Sequence, residues 1–163
     1  MKLISKIASI LLAGLLIAIV WFNHSASISP APDVLFKTIK GETISLAALK
    51  GKPVLVSFWA TDCQNCLEEI PELINLHQQY SSSGLTIIAV AMYYDPPNHV
   101  VELATARQLP YAIALDPEAA HAGAFGDVKL TPTSFLIDKN GMIVMRTTGK
   151  FDVAALKERL NSS

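Results

Sequence analysis

The chain has 163 residues, 51% of them hydrophobic, and 13 basic against 14 acidic side chains for a formal net charge of −1. That length supports one ordinary domain with a proper core and excludes two. The near-neutral balance, with no basic run and no interleaving of aromatic and basic residues, excludes a nucleic-acid-binding surface.

The first 22 residues stand apart from the rest. Lys2 and Lys6 precede an uncharged run over residues 7–22 in which Ser9 is the one hydroxyl. At about 1.5 Å per residue that run spans about 24 Å, somewhat short of a ~30 Å hydrocarbon core. Leu3 and Ile4 extend it if Lys6 snorkels to the interface. The exit lacks an Ala-x-Ala cleavage pattern, because His24 stands where a small residue is wanted before Ala26. Residues 1–22 therefore read as a retained membrane anchor or uncleaved signal. The two lysines would hold the N-terminus in the cytoplasm, placing the remainder on the periplasmic side of a bacterial inner membrane as a single-pass protein. Residues 23–32, with three serines and two prolines, read as a tether, and 33–163 as the folded domain. From Asn23 onward 11 basic residues face 14 acidic ones, a net charge of −3.

Within the domain, residues 34–39 and 42–44 read as short strands around Lys40-Gly41, with Ser45 placed to cap a brief turn over 46–49. The run KPVLVSFWA, 52–60, is almost continuously apolar and bounded by Gly51 and a cysteine pair, the pattern of a strand buried on both faces. A helix is expected over 63–80, ending before Ser81-Ser82-Ser83-Gly84, and LTIIAVAMY from Leu85 gives a second buried strand. Strand, helix and strand in that order make the two strands parallel. Past the turn-forming Asp95-Pro96-Pro97 come a helical segment over 98–108, a strand over 111–115 and a short helix over 117–124. Residues 133–137 and 142–147 form a hairpin across Asp138-Lys139-Asn140-Gly141, and Asp152 caps a terminal helix that runs to about residue 160. This element order is an α/β sandwich around a mixed sheet.

Both cysteines lie in WATDCQNCLEEIP, residues 59–71. As a structural bridge the pair closes so small a loop that chain entropy supplies only about 2 kcal/mol. As half of a structural zinc site it lacks partners: such a site needs four ligands, and only His77, His99 and His121 remain in the folded part. A redox pair fits the location, between a buried strand and a helix start, where unpaired N–H groups and the helix dipole favour a thiolate. Cys63 at the exposed tip is then the nucleophile, and Cys66, one turn further in, attacks the mixed disulfide and releases the product. Glu69 falls on the face of Cys66, at the head of an apolar stripe continued by Leu73, Leu76 and Tyr80. A carboxylate there is partly desolvated with a raised pKa, suited to moving the proton of Cys66. Glu68 and Glu72 read as solvated acids near a helix N-terminus. Asp62 either caps the helix or acts as a redox-tuning charge. In either case a carboxylate beside Cys63 disfavours the thiolate and tilts the pair toward reduction of its targets. Pro71 frees the Leu67 carbonyl and should kink the helix. Trp59 packs beside the pair or fills the core, and Met92-Tyr93-Tyr94 reads as a strand end running into a rim near the site.

The segment FWATDCQNCLEEIP resembles the active-site stretch of membrane-anchored thioredoxin-like proteins of the TlpA/ResA type: a Phe-Trp-Ala start, Cys-x-x-Cys, then Glu-x-Pro. The resemblance covers residues 34–160, including LKGKPVLVSFWA before the motif and LTPTSFLIDKNG after it. It implies a thioredoxin fold with an N-terminal strand extension and a strand and helix inserted within 93–126. It also implies thiol-disulfide oxidoreductase activity with no cofactor and no metal beyond the redox-active Cys63-Cys66 disulfide. Glu69 would replace the buried acid that thioredoxin carries at the position of Ser57. Pro132 would be a cis-proline beside the cysteines, leaving the Thr131 backbone free to pair with an extended substrate, with Trp59 on the same substrate side. Implied partners are an integral-membrane thiol transporter of the DsbD or CcdA kind as electron donor, and disulfide-containing exported proteins such as apocytochrome c as substrates. The sequence departs from the family at Asp62, where an aromatic residue is common, and at Gln64-Asn65, where a proline is frequent. Two rivals fit less well. A copper-delivery module on the same fold wants Cys-x-x-x-Cys and a distant histidine, for which His121 is a loose candidate. A peroxiredoxin wants Pro-x-x-x-Thr-x-x-Cys, which Val56 and Thr61 do not supply.

Overall fold

Six consecutive buried residues, Val54–Trp59, form the strand around which the molecule is laid. The computed structural model describes residues 29–162. In chain order its elements are β1 (Ser29–Pro30), β2 (Leu35–Lys37), β3 (Thr43–Ser45), a 3₁₀ turn (Ala47–Leu49), β4 (Val54–Trp59), α1 (Gln64–Tyr80), β5 (Thr86–Ala91), α2 (Pro97–Ala106), β6 (Ala112–Leu115), α3 (Ala120–Ala124), β7 (Thr133–Ile137), β8 (Met142–Thr148) and α4 (Val153–Ser162). The main sheet is six-stranded in the order β1-β8-β7-β4-β5-β6. Strands β4, β5 and β6 run parallel, while β7, β8 and β1 are antiparallel to their neighbours. This is the mixed sheet expected from the sequence, flanked by helices in a thioredoxin fold. The β2–β3 hairpin leans on the β6 edge through the Thr38↔Ala114 bridge, and β6 lies inside the stretch where the inserted strand was expected.

Because side chains alternate along a strand, β4 serves two cores. Leu55 and Trp59 face the layer that also contains Cys66, Ile70 and Leu76 of α1, Val100 of α2 and Leu156 of α4. Val54, Val56 and Phe58 face the layer with Phe36, Phe125 and Phe135. Covering both faces is what makes the β4 sequence apolar without alternation.

Two local outcomes differ from the sequence reading. Ser29 and Pro30, expected in the tether, form an edge strand opposite Ile143 and Met142, and Ala31 N–H donates to Gly141 O at 2.9 Å. A two-residue pairing leaves no periodicity to read, and an edge tolerates a proline that has no N–H. The helix expected over 117–124 starts only at Ala120, because the buried Asp116 carboxylate accepts from His121 N and Ala122 N. Asp152, as expected, caps the last helix by accepting from Ala154 N and Ala155 N. The proposed anchor, 1–22, and most of the tether lie outside the described residues. Among the described residues no helix is long and apolar enough to cross a membrane.

Candidate active site

The chain leaves β4 at Trp59 and turns through Ala60, Thr61 and Asp62, with Cys63 N–H donating to Ala60 O at 3.2 Å. Cys63 is the N-cap of the 17-residue helix α1: its backbone is extended and its Sγ accepts from Cys66 N at 3.2 Å. The sulfur thus occupies the place usually filled by a Ser, Thr or Asp oxygen. Asp62, for which the sequence left a capping role open, is exposed and lies one residue outside. Cys63 and Cys66 are joined as a disulfide. Cys63 is half-buried and Cys66 buried, so an incoming partner meets Cys63 first. When the pair is reduced, the cap N–H and the positive end of the helix both favour a thiolate at Cys63.

Beneath the disulfide the helix buries a carboxylate. Glu69 is 4% exposed, and its Oε1 accepts from Phe151 N at 2.8 Å. Burial pushes its carboxyl up to about 7, against the opposing pulls of the Phe151 hydrogen bond and the Lys150 charge. The neighbouring Glu68 has the opposite environment. It is exposed, paired with Lys150 Nζ at 2.9 Å and hydrogen-bonded by Gln64 Nε2, and these partners hold its carboxyl below the ordinary value. Two adjacent acids are thus separated in proton affinity by which side of α1 they face.

Cys66 and Glu69 share the wall of one small enclosed cavity with Ser57, Trp59 and Tyr111. Ser57 Oγ accepts from Ser134 Oγ at 3.0 Å, and Glu69 is the one carboxylate lining that wall. Tyr111 is buried, and both that burial and the Glu69 charge push its hydroxyl upward. Trp59 is 5% exposed, and its ring lines the cavity beside Cys66.

The register Phe58↔Thr133 sets Pro132 opposite the end of β4, where the cysteine loop departs. The Thr131-Pro132 bond is cis. Pro132 is buried and its carbonyl accepts from Gly149 N at 2.8 Å. Thr131 is half-buried, with its Oγ1 3.5 Å from the Tyr94 hydroxyl. Cys63, Cys66, Glu69, Thr131 and Pro132 therefore gather at one end of the sheet. His121 stacks on Phe36 with ring centroids 4.7 Å apart, on the opposite face. Among the described residues no three His, Cys, Asp or Glu side chains come together as a metal-ligand set. Sequence reading missed Tyr111, which carried only the signature of a strand residue, and Asp95, whose Asp-Pro-Pro context signals only a turn.

A family model described as Redoxin matches residues 26–160. The chain belongs to the Redoxin family. This redoxin is 34% identical over 134 residues to the thiol-disulfide oxidoreductase ResA of Geobacillus thermodenitrificans, covering 82% of this chain and 76% of that protein. Among solved structures it is similar to a thiol:disulfide interchange protein of the thioredoxin family from Chlorobium tepidum, with a TM-score of 0.74, 28% identity, and 85% of this chain and 97% of that one covered. It is also similar to StoA from Bacillus subtilis, with a TM-score of 0.67, 28% identity, and 78% and 96% covered. With the Cys63-Cys66 pair in place, this redoxin is a thiol-disulfide oxidoreductase of the TlpA/ResA type.

Proposed function

We propose that this redoxin is a disulfide reductase for exported proteins, held at the periplasmic face of a bacterial inner membrane by residues 1–22. The observation that carries the reading is the vertical arrangement of the site: a half-exposed sulfur at the helix cap, a buried sulfur below it, and a buried acid sharing the cavity of the second.

In that reading the Cys63 thiolate attacks a substrate disulfide and forms a mixed disulfide, expelling one substrate thiolate. Glu69 takes the Cys66 proton, and the Cys66 thiolate attacks Cys63 Sγ. The second substrate thiolate leaves and the Cys63-Cys66 disulfide is restored: two electrons pass to the substrate and two protons go with them. An acid with a pKa near 7 is suited to this transfer because it accepts and returns a proton at neutral pH. The Thr131 backbone pairs with the extended substrate segment. Asp62 lowers the stability of the Cys63 thiolate, and a less stabilised dithiol is the better electron donor. Since an exported domain meets an oxidising compartment, a membrane thiol transporter of the DsbD or CcdA kind re-reduces the pair. Apocytochrome c and copper-centre subunits of oxidases are the substrate classes that the family resemblance suggests.

The test is capture in cells. Full-length Cys66→Ser should accumulate mixed disulfides with exported proteins, reversible by dithiothreitol and absent from Cys63→Ser. Recovery of cytoplasmic partners alone, or of equal adducts on both variants, would sink the reading.

A further inference from the structure

The loop after β5 holds one buried acid beside two exposed aromatics. Tyr93 and Tyr94 are 56% and 46% exposed, whereas Asp95 is 7% exposed. Both carboxylate oxygens of Asp95 serve a single residue 34 positions upstream: Thr61 N–H donates to Oδ2 and the Thr61 hydroxyl to Oδ1, each at 2.6 Å. Taking a carboxylate out of water costs free energy unless its lone pairs are met by well-placed donors, and these two bonds to Thr61 supply them. The obvious local task goes undone, since α2 begins two residues later with no side-chain cap, although Asp is among the best cap residues. Asp95 reaches across to the cysteine loop instead.

The clamp completes a series of ties. Met92 N donates to Trp59 O at 3.0 Å, one step past the last β4–β5 pair. Asp95 N donates to Met92 O at 3.0 Å, closing the turn that presents the carboxylate. Thr61 is thereby fixed from the β5 side, one residue inside the Ala60–Cys63 turn whose hydrogen bond leads to the cap.

We propose that Asp95 is a positioning residue for Cys63: by holding the Thr61 peptide and hydroxyl it sets the direction in which the Cys63 sulfur meets an incoming disulfide and keeps that sulfur at the helix cap. This rests on the reading of Cys63 as the attacking thiol. Displacement of a nucleophile by about 1 Å costs on the order of 100-fold in rate, so a loop with no fixed anchor would waste the site. The role is geometric. An amide has the shape of a carboxylate, and in Asp95→Asn the oxygen accepts from Thr61 N–H while the nitrogen donates to the Thr61 hydroxyl. Asn therefore keeps the clamp and removes only the charge.

The experiment compares the full-length reduced parent, Asp95→Ala, Asp95→Asn, Thr61→Val and Thr61→Ser. Two quantities are measured: kcat and KM for a disulfide peptide, and the pH midpoint of Cys63 alkylation by iodoacetamide. Asp62, Glu68, Glu69 and Lys150, the charged residues that flank the pair or contact its helix, are constant throughout. Asp95→Ala is expected to lower kcat about 10-fold with KM within about twofold. It is also expected to raise the alkylation midpoint by about half a unit, because the cap contact that favours the thiolate is loosened. Asp95→Asn and Thr61→Ser should stay within about threefold of the parent in kcat, without a raised midpoint. Thr61→Val, which keeps only the N–H bond, should fall between. If Asp95→Asn is as impaired as Asp95→Ala, or if both lower the midpoint, the charge matters and the geometric role is overturned. A parent-like Asp95→Ala overturns it as well. Should Asp95→Ala fail to fold, Thr61→Val against Thr61→Ser decides alone, equality of the two counting against the clamp. A parent that reduces no disulfide peptide defeats the reductase reading, while the order of alkylation midpoints still tests the clamp.

Discussion

The two faces of the central sheet each carry a buried core and do different work. On one face Phe58, Phe125 and Phe135 meet edge-to-face or tilted, with ring centroids 4.9 to 5.9 Å apart, and the Arg146 guanidinium lies 5.3 Å from the Phe135 ring centroid. On the other face the apolar layer admits Cys66, Glu69, Ser57 and Tyr111 around one cavity. Close aromatic packing fills the space on that face. The opposite face keeps a carboxyl near neutrality through burial. Strand β4 supplies both faces from alternate positions, so chemistry and stability are separable within one strand.

Substitutions should pull the faces apart. The largest effect is expected from Cys63→Ser, which brings thiol-disulfide exchange down to the uncatalysed background with native circular dichroism retained; residual exchange at the parent rate would contradict the assigned nucleophile. Next is Phe135→Ala on the aromatic face. It should cost about 3–5 kcal/mol in chemical denaturation while leaving the reduction potential of the pair where it was, and a shifted potential would mean that the faces are coupled. Glu69→Gln on the redox face should do the reverse, slowing resolution of the mixed disulfide about 10- to 100-fold in a single-turnover assay without loss of stability.

The pH dependence of stability sharpens the same contrast. The folded Glu69 carboxyl titrates at about 7, above its ordinary 4.5, so the unfolded chain loses this proton first. The stabilisation tied to the neutral carboxyl is complete below about pH 4.5 and is lost as pH rises toward 7. The loss is at most about 3 kcal/mol. Denaturant midpoints of the parent should therefore fall across that window relative to Glu69→Gln, and the variant should be the more stable above pH 7. Parallel profiles would place Glu69 in water and remove the basis of its role.

What the sequence made legible follows from distance along the chain. Strand β4, helix α1 and strand β5 announce themselves as an apolar run, a helical stripe and a second run. Cys63, Cys66 and Glu69 fall on that stretch, so their burial order could be read from helical spacing. The position of Pro132 came from resemblance, since nothing in Leu-Thr-Pro-Thr alone sets it against the cysteine loop; the β4–β7 register does. The remaining features depend on pairs far apart. The Asp95–Thr61 clamp spans 34 residues, and the Glu69–Phe151 bond spans 82. Strand β1 exists only because β8 offers an edge. Assignment of the cap to Cys63 instead of Asp62 turned on one residue of phase, which propensity cannot resolve.

The most direct measurement is the reduction potential of the full-length chain, poised in glutathione or dithiothreitol buffers and followed by Trp59 fluorescence, since that ring shares a cavity wall with Cys66. A reductase with a carboxylate beside its attacking thiol should give a value near or below about −270 mV. A value near the roughly −120 mV of a strong oxidant would reverse the direction of electron flow and contradict the account.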